Sequence, residues 1–285
     1  MLSGRHAMFN IIAIAIGVYS ALVGGLYLVQ RELIYHPTQP LPSPEISGVP
    51  EMKVVRLTTE DGLTLTSWYR PAQGDLPTIV YFQGNGGNIA GRGNKVRPYL
   101  DAGFGVLLAG YRGYGGNPGR PSEQGLYADG RAHLEFLKNQ NIPSNQWVMY
   151  GESLGSGVAV QMAFEWAKQD QIKNNASIGS VVLEAPFSSL GDAAQSHYPF
   201  VPARLLVKDH FDSIAKIDKI KAPLFVVNGD MDGVIPPIQG RRLFNAAREP
   251  KEGHWVQGGG HNNLYDFGVS GPIIDFISRN HAISN

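Results

Sequence analysis

Gly151-Glu152-Ser153-Leu154-Gly155 joins a short apolar run, Trp147-Val148-Met149-Tyr150, to a stretch with helical spacing. A G-x-S-x-G pattern there marks a strand turning sharply into a helix, with a strained serine at the bend whose hydroxyl stands clear of the sheet. The two glycines leave room for the close approach of strand and helix. In a chain with 35 glycines the same letters also arise from a plain tight turn. Ser153 therefore reads as a nucleophile only if the rest of the chain supplies its partners.

A serine hydroxyl is a poor nucleophile near neutral pH and needs a base, which in turn needs an orienting acid. In folds built on this elbow, acid and then histidine follow the serine along the chain. His261 fits the base. It lies in Gly258-Gly259-Gly260-His261-Asn262-Asn263, after the expected last strand Gly253–Gln257 and before a C-terminal helix. His133 falls in a helical pattern, and His197 and His210 fall in a segment expected to form a cap, which makes all three weaker candidates. For the acid, a strand expected to end at Asn228 is followed by Asp230 and Asp232. Asp232 is favoured because it lets a helix begin near Pro236-Pro237. Asp230 is the runner-up, and Glu184, at the end of an earlier strand, is more remote. The oxyanion donors are expected to be the backbone N–H of Leu154, directly after the nucleophile, and of Asn85 in the early loop Gly84-Asn85-Gly86-Gly87-Asn88. Those glycines do not make a nucleotide site: no Gly-Lys-Ser/Thr follows, and Ile89 stands where a dinucleotide fingerprint needs glycine.

The elements that must position these groups are also visible. Met52–Thr58 and Leu63–Tyr69 alternate in polarity around Glu60-Asp61-Gly62, a hairpin signal. Short apolar runs then recur at 78–82, 104–109, 147–150, 180–183 and 224–227, with helical patterns between them such as Glu123–Asn139. That alternation predicts an α/β fold, a mostly parallel sheet with helices on both faces. The 285 residues carry zero formal net charge, so nothing favours a nucleic-acid partner, and there is no cysteine, which excludes disulfides and thiolate chemistry. No metal or organic cofactor is expected.

From Ala7 to Gln30 no side chain is charged. About 22 residues of helix reach about 33 Å, enough to cross a bilayer. A cleaved signal peptide would have a shorter apolar region with a small-residue cleavage site after it. Here the run continues to Tyr27-Leu28-Val29 and meets Gln30-Arg31-Glu32. The expectation is a retained single-pass anchor lying outside the globule, with the catalytic domain on the outer or periplasmic side. Pro37, Pro40, Pro42 and Pro44 then suggest an extended connector. The expected organisation is anchor 1–30, linker 31–50 and catalytic domain 51–285, with a cap at about 187–217.

On these pieces the chain resembles the membrane-anchored branch of the α/β-hydrolases, similar to Bem46-type proteins and α/β-hydrolase-domain depalmitoylases. The matching stretches are Gln30–Pro37, Gly84–Asn88, Tyr111-Arg112-Gly113-Tyr114-Gly115, Gly151–Gly155, Ala185-Pro186-Phe187, Phe211-Asp212-Ser213 and the Asp232 and His261 loops. The resemblance implies that Ser153, Asp232 and His261 hold the family's triad positions. It also shows three departures: Gln83 where histidine is usual, Gly110 where aspartate is usual, and Asn262 where aspartate commonly follows the histidine. With an apolar cap segment, Tyr198–Val207, the expected activity is hydrolysis of esters or thioesters carrying an acyl chain. A serine peptidase and a non-catalytic membrane scaffold are the alternatives.

Overall fold

The apolar runs become strands because both of their faces are covered. In the computed structural model, which describes residues 2–173 and 177–284, they form most of an eight-stranded sheet. In chain order the elements are α1 (Leu2–Ile34), β1 (His36–Pro37), β2 (Lys53–Thr58), β3 (Thr64–Arg70), β4 (Thr78–Phe82), β5 (Gly86–Gly87), α2 (Gly93–Asp101), β6 (Gly105–Ala109) and α3 (Glu123–Asn139). There follow β7 (Trp147–Glu152), α4 (Leu154–Lys173), β8 (Ser180–Glu184), α5 (Leu190–His197), α6 (Ala203–Leu206), β9 (Leu224–Gly229), α7 (Pro237–Ala246), β10 (Lys251–Val256) and α8 (Ser270–Ser284).

The sheet order is β10-β9-β8-β7-β4-β6-β3-β2. All pairings are parallel except β2 with β3 and β3 with β6. The hairpin forms as expected, pairing Thr58 with Thr64, and Gly62 takes φ +84° in its turn. Alternate residues feed two cores. Val80, Phe82, Met149, Leu183 and Val226 pack towards Leu126 and Leu134 of α3, Val158 and Met162 of α4, and Leu243 of α7. Ile79, Tyr81, Val148, Val182 and Phe225 pack towards Val96 and Leu100 of α2, and Ile273 and Phe276 of α8. Full burial of each such aliphatic or phenyl side chain contributes about 1.5–3 kcal/mol, which is why the strands read as continuous apolar runs. Helix α3 has the expected bounds, opened by the Ser122 hydroxyl accepting from Gly125 N.

The chain passes from β4 outward to β6 on one side, then returns to β7 on the other. The carboxyl ends of β4 and β7 therefore flank a topological switch point, where sheets of this kind place their ligands.

At the N-terminal end the structure departs from expectation in three respects. The helix does not stop at 30 but continues to Ile34, and Tyr35 is buried against the main core. It is also not separate from the globule. Val23, Leu26, Gln30 and Ile34 are partly buried, and their spacing puts them on one helix face. Arg31 Nε and Nη2 donate to Asp209 at 2.9 and 3.0 Å, and the Tyr35 hydroxyl adds a third donor to that carboxylate. Nor is 31–50 a free spacer. His36–Pro37 pairs with Gly86–Gly87, and Asn88 Nδ2 donates to the Thr38 and Pro40 carbonyls. A proline-rich segment cannot form a helix, but its carbonyls still accept from a neighbour, and here they do.

Candidate active site

Strand β7 delivers Ser153 at its carboxyl end. The residue sits at φ +49°, in the left-handed region that non-glycine residues rarely occupy. Its N–H donates to the Glu184 carbonyl (2.8 Å) and its carbonyl accepts from Ser156 N (2.9 Å), which fixes the bend. The two flanking glycines are required by sterics. A Cβ on Gly155 would lie 2.0 Å from the Phe82 carbonyl oxygen, and one on Gly151 would lie 2.5 Å from Ser156 Cα.

Loops after β9 and β10 bring the other two groups to the same edge. His261 Nε2 lies 2.9 Å from Ser153 Oγ, and His261 Nδ1 lies 2.7 Å from Asp232 Oδ2. With its proton on Nδ1, the ring donates to the carboxylate and accepts from the serine hydroxyl. Asp232 Oδ1 is held by the N–H groups of Val234 and Ile235, both at 2.8 Å. The Asp232 side chain is fully buried and that of His261 is 10% exposed. The chain of contacts can thus pass a proton from hydroxyl to imidazole and hold the resulting imidazolium. The other candidates take structural roles. Asp230 accepts from Gly258 N (2.7 Å) and braces the histidine loop. Glu184 pairs with Lys95, and His133 is buried between Ser67 Oγ and the Asp129 carbonyl. Burial lowers the His133 pKa to about 4. His210 contributes its N–H to Glu123, and His197 caps the Val234 carbonyl at the cavity rim.

Leu154 opens α4, and Asn85 follows β4 across the switch point, and both residues line the same cavity as Ser153. Neither N–H donates to a protein acceptor among the described residues. Asn85 is held on three sides: its carbonyl accepts from His36 N (2.9 Å) and the Tyr114 hydroxyl (2.8 Å), and its Nδ2 donates to the Ile34 carbonyl (2.8 Å). The last turn of α1 therefore touches the loop expected to supply an oxyanion donor. Of the departures from the usual pattern, Gly110 has a steric reason, since a Cβ there would lie 2.0 Å from the Thr66 carbonyl oxygen. Gln83 is fully buried in the same loop, and Asn262 is exposed.

Beneath the elbow lies a group of charges that the sequence did not disclose. Glu152 accepts from Arg92 Nε (3.0 Å), Arg92 Nη2 (3.2 Å), Lys95 Nζ (3.0 Å) and the Tyr81 hydroxyl (3.0 Å). Lys95 also reaches Glu184 at 2.7 Å, and Glu184 accepts from the Tyr150 hydroxyl at 2.8 Å. Burial alone would raise the Glu152 pKa, but the adjacent Arg92 and Lys95 outweigh it and bring the value down to about 2. Two cations and two carboxylates balance there.

The cavity over Ser153 has a volume of about 280 Å³. Its walls are apolar: Phe187 and Leu190, the cap residues Ala193, Val201 and Leu206, and Ile235. Val23, Leu26 and Tyr27 of α1 also line it. Sequence reasoning assigned that helix to anchoring alone. The signal for its second role was Tyr19, Tyr27 and Gln30 set within an otherwise aliphatic run. The Tyr19 hydroxyl donates to the Phe200 carbonyl (2.9 Å), Gln30 Oε1 accepts from Lys208 N (2.6 Å), and Lys208 Nζ lies 4.3 Å from the Tyr27 ring centre.

No family model matches the chain. By sequence it is 39% identical over 281 residues to an uncharacterised protein of Mycobacterium tuberculosis, covering 96% of this chain and 95% of that one. It is 30% identical over 296 residues to protein bem46 of Schizosaccharomyces pombe, with coverage of 96% and 95%. It is also 30% identical over 260 residues to the alpha/beta hydrolase domain-containing protein WAV2 of Arabidopsis thaliana, covering 82% of each. Among solved structures, a Pyrococcus furiosus esterase superposes with a TM-score of 0.66 at 20% identity, covering 86% of this chain and 98% of that one. An α/β hydrolase of Vibrio vulnificus gives 0.67 at 22% identity, over 79% and 81%. At those identities the likeness is one of fold.

Proposed function

Because this chain belongs to the α/β-hydrolase family that includes bem46 and WAV2, we propose that it is a membrane-anchored serine hydrolase of carboxylic esters or thioesters, with acyl-chain substrates favoured. The observation that carries the reading is the Ser153–His261–Asp232 hydrogen-bonded chain opening into an apolar cavity.

In this mechanism Ser153 Oγ attacks the substrate carbonyl carbon while His261 Nε2 takes the hydroxyl proton. The oxyanion of the tetrahedral intermediate is met by the N–H groups of Leu154 and Asn85. The intermediate collapses as His261 returns the proton to the leaving alkoxide or thiolate, leaving an acyl-enzyme on Ser153. Water, deprotonated by His261, attacks that acyl carbonyl, and a second collapse frees the acid and restores the serine. Asp232 holds the imidazole tautomer and stabilises the imidazolium throughout. The apolar walls take the acyl chain, and no metal or organic cofactor enters any step.

The test is labelling with a fluorophosphonate, together with hydrolysis of an ester series of increasing acyl length. Labelling should vanish in Ser153→Ala, and turnover should fall by about 10⁴- to 10⁶-fold. A scaffold on a hydrolase fold would show neither labelling nor turnover in the parent. A peptidase would prefer amides, and a parent that cleaves only short, water-soluble esters would refute the acyl-chain preference.

A further inference from the structure

The contacts between α1 and the cap conflict with a simple picture of a helix in the bilayer and a domain outside it. Tyr19 lies about 16 Å along the helix axis from Gln30, well inside the uncharged stretch, yet its hydroxyl is bonded to the Phe200 carbonyl of the cap. Below that contact, Ala7–Val18 offers only about 18 Å of helix, short of the ~30 Å hydrocarbon core. A full crossing needs about 20 residues. Even the span set furthest towards the N-terminus, residues 7–26, places Tyr19 about 10 Å inside its upper boundary. Whatever touches Tyr19 must then sit at the same depth.

The surface of the cap suits that depth. Phe200 is 62% exposed and Leu205 83% exposed, with Tyr198 beside them. Exposed apolar side chains of this size cluster where a protein meets a partner or a membrane. Arg204, on the same short helix as Leu205, pairs with Asp192 but is 62% exposed, and its long side chain can carry the charge towards the headgroups. The polar contacts lie towards the charged end of α1: Lys208 over Tyr27, Gln30 with Lys208 N, and Arg31 with Asp209. That gradient, apolar at Tyr19 and Phe200 and cationic at Lys208 and Arg31, is the one a leaflet presents from acyl chains to headgroups.

We infer that the cap, residues 198–206, is immersed in the acyl region of one leaflet, and that the cavity walled by α1 and the cap receives its substrate's acyl chain sideways from the bilayer. The immersion stands on helix length and contacts. The feeding route rests on the hydrolase reading above. The substrate class that follows is an ester or thioester whose acyl chain resides in the membrane.

The chain has no cysteine, so single labels are clean. Leu205→Cys and Gln140→Cys, the latter in an exposed turn before β7, would each carry an environment-sensitive fluorophore in the full-length protein. The protein would be reconstituted in phosphatidylcholine vesicles bearing a nitroxide on the headgroup or on the acyl chain. The expected result is stronger quenching by the acyl-chain nitroxide at position 205, with none at 140. Quenching at 205 by the headgroup nitroxide alone, or by neither, overturns the immersion. In parallel, Leu205→Asp should lower hydrolysis of a long-chain ester held in vesicles by about tenfold or more, with hydrolysis of a dissolved short-chain ester unchanged. Equal loss on both substrates, or loss on neither, overturns the feeding route. A parent that hydrolyses neither would sink the hydrolase reading, and the quenching data would still decide the immersion.

Discussion

Glu152 is the position at which one atom's worth of change should test the buried charges beneath the elbow. In Glu152→Gln the shape of the side chain is kept and its charge is lost. Arg92 and Lys95 would then face only Glu184, leaving two cations against one carboxylate where every side chain is at most 18% exposed. Breaking a buried ion pair from one side costs about 3–5 kcal/mol, because the surviving charge stays desolvated without its partner. For a domain of this size each kcal/mol moves the melting temperature by about 2–4 °C, so the expected drop is about 6–20 °C by calorimetry. Removing Arg92 as well restores the balance. The double variant Arg92→Met/Glu152→Gln should therefore be less destabilised than the sum of the single variants, with a coupling of about 1–3 kcal/mol. Since Glu152 is the last residue of β7 and precedes Ser153 directly, fluorophosphonate labelling at a temperature where the protein stays folded should also slow. A drop under about 2 °C, or additive single variants, would refute the account of a mutually compensating cluster.

Acid stability should carry the mark of His133. Burial holds this ring neutral down to about pH 4, whereas the unfolded chain protonates near 6.5. Stability is therefore complete above the unfolded value and declines as pH falls from about 6.5 to about 4, by about 3 kcal/mol in total. Urea unfolding across that range measures it, and a His133→Gln variant whose pH profile parallels the parent's would count against the assignment. Leu26→Trp should fill part of the cavity from the helix side. The preferred acyl length should shorten, with about a 10- to 200-fold loss on the longest ester tolerated by the parent. An unchanged chain-length profile would show that α1 does not bound the acyl site.

What could be read beforehand divides by the range of the interaction. Ser153 announces itself because the strained elbow needs its glycines within two residues. Asp232 and His261 follow because strand ends and loop glycines are local patterns. The strands 78–82 and 147–150 come from short apolar runs and the helix 123–139 from its apolar spacing, again local. Glu152 with Lys95, and Arg31 with Asp209, were invisible for the opposite reason: the partners are 57 and 178 residues apart, and no spacing rule links them. The end of the first helix lay beyond reach for the same cause. Gln30-Arg31-Glu32 looks like an exit into water, but Arg31 turns back to a buried carboxylate supplied by a distant segment. Pocket shape depends on which face of α1 meets the cap, which a uniformly apolar helix does not encode in its hydropathy.

The hold that Ile34 and His36 keep on Asn85 ties the N-terminal helix to the loop proposed to supply an oxyanion donor. On the proposed reading, a fragment lacking α1 would lose the helix side of the apolar cavity and the Ile34 carbonyl that holds Asn85, the amide proposed to meet the developing negative charge. Weak turnover from such a fragment would then report a dismantled catalyst rather than a poor substrate. Enzyme kept whole in detergent or lipid is the form in which substrates should be sought.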